Sequence, residues 1–308
     1  MTEFYPLVIL ALGMVTVIGL IVGLRLNAFL ALLIAAILVS LLAPGELPEK
    51  ISRVASAFGS TAGSIGIVIA LAAVIGKAMM DSGAADRVVR GFLSLLGEER
   101  GGVALLSSGY VLGVPVFFDT VFYLLVPLAR SMYRRTKKRY LMYLMAIGAG
   151  GAITHTMVPP TPGPLVLAET MGIDLGMMIL VGAVVALPCA VVGLLYAGWL
   201  DNRMPVHLSG EEAGVPQPGY APEPTLPGLI PALLPIVLPV LLISANTLVS
   251  TLSDMEGSAA IWTELAPYAA LVGNGNLALL LSAFVALWLY WDQRRPSRDE
   301  MAQMVEEA

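Results

Sequence analysis

Residues Gly101–Ala129 read GGVALLSSGYVLGVPVFFDTVFYLLVPLA, a run of 29 residues with a single charge, Asp119. A helix needs about 20 apolar residues to cross a hydrocarbon layer of about 30 Å. This run is therefore long for one crossing and short for two. Gly113-Val114-Pro115 interrupts it near the middle, where a proline removes a backbone donor and disfavours continued helix. A re-entrant hairpin that enters and leaves by one face satisfies both the length and the break.

The surrounding chain supports a bilayer setting. Of 308 residues, 57% are apolar and 13% charged, against roughly a quarter charged in soluble domains. Eight runs are long enough, or nearly so, to span: Phe4–Leu24, Leu26–Gly45, Val54–Gly76, Gly101–Ala129, Tyr140–Ala168, Leu175–Leu200, Thr225–Ser253 and Leu265–Trp291. The expected fold is all-α and polytopic, with about seven spanning helices, a hairpin over 101–129 and a broken helix over 140–168. Residues 1–200 form a first membrane bundle, 201–224 a polar linker rich in proline and glycine, and 225–308 further membrane helices and a cytoplasmic tail. The opening Met1-Thr2-Glu3 leads straight into a span-length run without a basic start, so Phe4–Leu24 is read as retained rather than cleaved.

Basic residues orient the spans, because Lys- and Arg-rich loops stay cytoplasmic. Arg130, Arg134, Arg135, Lys137, Lys138 and Arg139 crowd one short loop, which is placed inside. Alternating outward from it puts the amino terminus outside and the carboxyl terminus in the cytoplasm. Asp254, Glu256 and Glu264 then lie outside, and 15 of 17 Lys and Arg lie inside, Lys50 and Arg53 being the exceptions.

Two broken segments carry the candidate chemistry. Irregular backbone is tolerated within a membrane only where protein or a wet cavity surrounds it. In the first, Gly113 and Pro115 precede Asp119, an intramembrane carboxylate that costs at least about 2.5 kcal/mol to insert and is functional by default. The alternative for Asp119 is a structural acid bonded to hairpin amides or paired with a basic loop residue. The second is Thr154-His155-Thr156-Met157-Val158-Pro159-Pro160-Thr161-Pro162-Gly163-Pro164, where four prolines and a glycine forbid continuous helix. Half-helices meeting at such a break present free amides and carbonyls, and a half-helix amino terminus favours an anion. The expected substrate-binding set is Gly113, Pro115, Thr154, His155, Thr156, Pro160, Thr161 and Gly163, with Asp119 and His155 handling a coupling ion. For His155 a packing role stands beside the functional one. Lys77, in Gly76-Lys77 through Asp81-Ser82-Gly83, is expected to extend its ammonium to the membrane interface.

Enzymatic classes find no support. There is no Gly-x-Ser-x-Gly elbow, no His-Glu-x-x-His pair, no phosphate-binding loop, and the only histidines are His155 and His207. Cys189 has no partner for a disulfide or a thiolate metal site. No cofactor is expected and nucleic acid is not among the expected partners.

The motifs Gly113–Pro127 and His155–Pro164, supported by Gly76–Gly83, resemble the gluconate permease family of the ion transporter superfamily. The resemblance implies a secondary permease, mostly a proton symporter for gluconate or related hydroxy acids, with some members taking D-serine, and a proton rather than Na⁺ as coupling ion. Asp119 conforms to the family's acidic position, whereas Thr161 stands where histidine is frequent. Such permeases are longer, with a second half repeating the first in inverted orientation. The resemblance therefore implies one half of an inverted-repeat fold, completed by a missing second half or by another copy. Besides the lipid bilayer and a small organic anion, that completing chain is the expected partner. A membrane scaffold that does not transport and a passive organic-anion channel are the alternatives.

Overall fold

A computed structural model describes residues 5–206, 226–255 and 259–308. Most of the linker expected at 201–224, together with His207, Glu256 and the first four residues, lies outside the described residues. Every regular element among the described residues is helical, and the chain divides into two compact units, 1–66 and 67–308.

The first unit holds α1 (Tyr5–Ile18), continued by a π-helical turn Gly19–Gly23, then α2 (Ala28–Leu42) and the start of α3 (Leu47–Asp81). Asn27 starts α2 by accepting a hydrogen bond from the Phe29 amide at 2.9 Å, which satisfies one of the donors a helix start leaves open. At the other end, the Lys50 ammonium donates to the Leu41 carbonyl at 2.7 Å and the Arg53 guanidinium to the Pro44 carbonyl at 3.1 Å. These cations serve carbonyls that no further helical turn reaches. Leu7, Val15 and Val22 face outward and are well over half exposed, as lipid-facing residues should be.

The second unit is built around α5 (Gly101–Leu112), α6 (Phe118–Thr136) and α7 (Tyr140–Met157). Gly101 abuts Met132 near the end of α6, so α5 and α6 form the expected hairpin, its turn at residues 113–117. The second arm is longer than the apolar run: α6 continues past Ala129 to Thr136, where Lys137 adopts a left-handed conformation, φ 55°. Along α5 and α7, Gly102 meets Met142 and Gly109 meets Gly151, so the two helices run parallel. Glycines let their backbones touch, which is how membrane helices gain packing contacts that apolar area alone cannot supply in lipid.

The second broken segment forms as expected. α7 ends at Met157 and α8 (Pro162–Met171) begins after residues 158–161, with a proline in its first turn, where a missing donor costs nothing. α9 (Leu175–Arg203) returns antiparallel to α7: Gly182 lies against the Met157 carbonyl, and the Asp201 carboxylate accepts from the Met142 amide at 3.2 Å. Its outer face carries Val184, Val192 and Leu195, 64–68% exposed.

After the linker come α10 (Leu229–Ser253), α11 (Ala260–Val272), α12 (Gly275–Arg294) and α13 (Arg298–Glu306). Pro239 cannot donate to the Pro235 carbonyl one turn back, and the buried Ser282 hydroxyl of α12 donates to that carbonyl instead. A helix break is thereby repaired by its neighbour. The run Leu265–Trp291, expected as one span, is instead broken at Gly273–Asn274. A Cβ at Gly273 would lie 2.6 Å from the Leu242 carbonyl and collide with Asn246 Cβ, so only glycine fits. Asn274 then starts a new helix by accepting from the Asn276 amide at 3.0 Å.

Six helical segments among the described residues are long and apolar enough to cross a bilayer: Tyr5–Gly23, Leu47–Asp81, Tyr140–Met171, Leu175–Arg203, Leu229–Ser253 and Gly275–Arg294. The protein is a polytopic all-α membrane protein.

Candidate functional site

The two broken segments meet within the second unit. Gly113 sits against the Gly151 carbonyl, 3.0 Å from where its Cβ would be, so any side chain there would push the hairpin turn away from α7. Pro115 and Val116 close over α3 at Gly76, whose missing Cβ leaves only 3.3 Å to the Pro115 carbonyl oxygen. On the apolar side, Val114, Pro115, Pro159 and Pro160 share a lining with Pro239 and Ile243 of α10, with space for no more than a single water. Two unwound stretches and the proline-rich middle of α10 therefore form one tight junction.

The polar groups gather at the edge of this junction. The rings of Phe117 and His155 lie 5.8 Å apart and tilted by 58°, a contact that joins one broken segment to the other. Asp119, two residues on from Phe117 in the first turn of α6, is solvent-accessible. Thr154 is wholly buried, yet neither its hydroxyl nor His155 Nδ1 finds a partner among the described residues. Buried polar groups are normally bonded, and an unsatisfied one costs about 1–3 kcal/mol. A ligand that bonds these atoms would recover that cost.

The remaining expected residues divide. Thr161 is buried and its hydroxyl donates to the Val158 carbonyl at 2.9 Å, which closes the break. Pro160 lines the junction. Thr156 is exposed and donates to the Ala152 and Ile153 carbonyls of its own helix at 2.9 and 3.0 Å, so its hydroxyl serves α7 itself. Gly163 has nothing within 4 Å of a Cβ position, and packing places no demand for glycine there. Among the described residues no group of three or more His, Cys, Asp and Glu could hold a metal ion.

Three features were not assigned to the site from sequence. Lys77 lines a cavity of about 200 Å³ together with Pro115, Val116 and Phe117 of the hairpin turn. Pro235 and Pro239 of α10 face the junction. The break at Gly273–Asn274 begins α12, whose Ala278 packs with Val158 and Ile243. The pattern Gly273-Asn274-Gly275-Asn276 was the available signal for the third, since Gly ends and Asn starts helices.

Residues 5–308 match the family model described as GntP family permease. A permease of Haemophilus influenzae described as uncharacterized is 38% identical over 200 residues, 65% of this chain and 41% of that protein. The gluconate permease of Bacillus subtilis is 29% identical across 92% of this chain and 63% of its own length. That of Pseudomonas aeruginosa is 30% identical across 90% and 61% respectively. The chain thus spans between 41% and 63% of the length of these curated relatives. No solved structure matches. These relatives are permeases, not enzymes, and the family match runs through both broken segments and every membrane-spanning helix described above: the chain belongs to the GntP family of permeases.

Proposed function

We propose that the protein is a secondary active transporter of gluconate or a related small hydroxy-carboxylate, importing it with a proton across the cytoplasmic membrane. The observation that carries this reading is the placement of two unsatisfied polar atoms, Thr154 Oγ1 and His155 Nδ1, beside two unwound segments and an accessible carboxylate, Asp119. Hydroxyl and imidazole groups suit a polyhydroxy acid, and the start of α6 offers open amides to its carboxylate. Asp119 and His155 are the groups in this junction able to exchange a proton. The names of the gluconate permeases of B. subtilis and P. aeruginosa support the same substrate class. Orientation follows the basic loops, with the amino terminus outside and the carboxyl terminus in the cytoplasm.

The chain spans only part of its relatives' length, so we propose further that a second polypeptide or another copy completes the pathway. Proteoliposomes carrying the 308-residue chain, alone and with a carboxyl-terminal portion of a gluconate permease, test both points. Saturable, uphill accumulation of labelled gluconate driven by an inward proton gradient is expected. Asp119→Asn is expected to lower the proton-driven component at least tenfold while leaving counterflow exchange in place. Equal proton-driven uptake in that variant would remove Asp119 from coupling. Flux without accumulation would indicate a passive channel, and no flux in either preparation a scaffold.

A further inference from the structure

Lys77 sits one turn from the end of α3, in the cavity of about 200 Å³ that adjoins the hairpin turn. Its ammonium is 3.4 Å from Asp81 Oδ2, one helical turn on, and 3.1 Å from Glu307 Oε2, which follows α13. The second contact is made by a separate segment. Ser297 and Glu300 cap α13 reciprocally, and Met304 is buried to 3% exposure. This holds the segment in place and directs Glu307 into the cavity. Its other oxygen, Oε1, accepts from the Gln303 amide at 2.9 Å. The Lys77 contact, followed by the Gln303 bond, holds the Glu307 carboxyl below the usual carboxylate range. The Glu307 carboxylate thus forms part of a lining that Pro115, Val116, Phe117 and Thr120 complete.

We propose that Lys77 is the carboxylate-binding residue of a subsite for small hydroxy acids in this cavity, and that Glu307 occupies the place of the ligand's carboxylate. The proposal rests on the substrate class given above and adds a residue which that reading leaves out. An ion pair as exposed as this contributes little to stability, whereas an ammonium with one intrahelical carboxylate retains donors for a second anion. At about 30 Å³ per water, the cavity holds six or seven water-sized groups. That is room for the carboxylate and the adjoining hydroxyl-bearing carbons of a hydroxy acid, with the rest of a six-carbon chain extending beyond the cavity. Phe117 lines this cavity and also contacts His155, so the subsite and the Thr154–His155 edge share one residue.

The test is titration of the purified 308-residue protein with gluconate, followed calorimetrically, for the wild type, Lys77→Gln, Lys77→Arg and Glu307→Gln. Lys77→Gln is expected to weaken binding roughly ten- to a hundredfold, as loss of a charge-assisted hydrogen bond does. Lys77→Arg should recover part of the loss, and Glu307→Gln should tighten binding several-fold by removing the competitor. Unchanged affinity in Lys77→Gln, or in Glu307→Gln, would overturn the proposal and leave gluconate transport standing. If gluconate binds none of the proteins, the substrate reading fails and acetate decides the subsite alone. Acetate binding that Lys77→Gln abolishes keeps the subsite, and acetate binding indifferent to Lys77, or none, overturns it.

Discussion

Gly150→Ala is expected to lower the stability of the second unit by about 3 kcal/mol or more, at the upper end of what overpacking costs. A methyl group at Gly150 would collide with the Leu106 carbonyl oxygen and lie 3.0 Å from the Tyr110 amide nitrogen. Both are backbone atoms of α5, so no side chain can rotate aside, and the parallel helices must separate. Ala146 and Ile147, fully buried on the same stretch of α7, would lose their contacts as well. Gly148 is the matched control. It lies two residues away on the same helix, with nothing within 4 Å of a Cβ position. Gly148→Ala should leave stability unchanged or raise it by about 0.5–1 kcal/mol through the backbone entropy that glycine loses in a helix. Thermal unfolding of the detergent-solubilised proteins, followed by tryptophan fluorescence, separates the two. Matching midpoints would mean that α5 and α7 are not in backbone contact. The same separation would displace Phe117 of the hairpin turn from His155, so the Gly150 variant should also lose gluconate binding.

How much could be read in advance depended on whether a feature is local. The turn at residues 113–117 and the break at 158–161 were legible because proline and glycine act on their own backbone, wherever the chain goes next. The hairpin was legible from the length of its run together with the break at Gly113–Pro115. The far end of α6 was not. Hydropathy stops at Arg130, but nothing in Arg130–Thr136 stops a helix, and it runs on until Lys137 turns left-handed. The break at Gly273–Asn274 was hidden by the apolar residues on both sides. What makes glycine obligatory there is the Leu242 carbonyl and the Asn246 Cβ, about thirty positions earlier. Repair of the Pro235 carbonyl by Ser282 is equally non-local. In the site, adjacency to prolines singled out Thr154, His155 and Thr156 together. Only packing separates them, because at 3.6 residues per turn Thr154 and Thr156 point to opposite sides of α7. Thr154 follows Ile147 and Gly150 on the buried face, whereas Thr156 is exposed.

Thr154→Val is expected to move stability and ligand binding in opposite directions. Valine keeps the shape and the β-branched rotamer of threonine and removes only the hydroxyl. That hydroxyl is completely buried and has no partner among the described residues, so in the ligand-free protein it contributes a desolvation cost without a compensating bond. Its removal should stabilise the ligand-free protein by about 1–3 kcal/mol. If the hydroxyl bonds a hydroxyl group of a hydroxy acid, the same change should weaken gluconate binding roughly ten- to a hundredfold. Thr154→Ser supplies the reverse comparison. It keeps the donor and opens a methyl-sized void in a packed interface, so it should bind gluconate nearly normally and unfold at a lower temperature. A residue that served packing alone would show the same loss of stability with serine but would tolerate valine in both assays. A fall in stability for Thr154→Val would mean that the hydroxyl is already satisfied in the resting protein. In that case the binding role would rest on His155 Nδ1. Raised stability with lost binding is the pattern of a site that holds an unpaired group in readiness for its ligand, and so gives up stability for function.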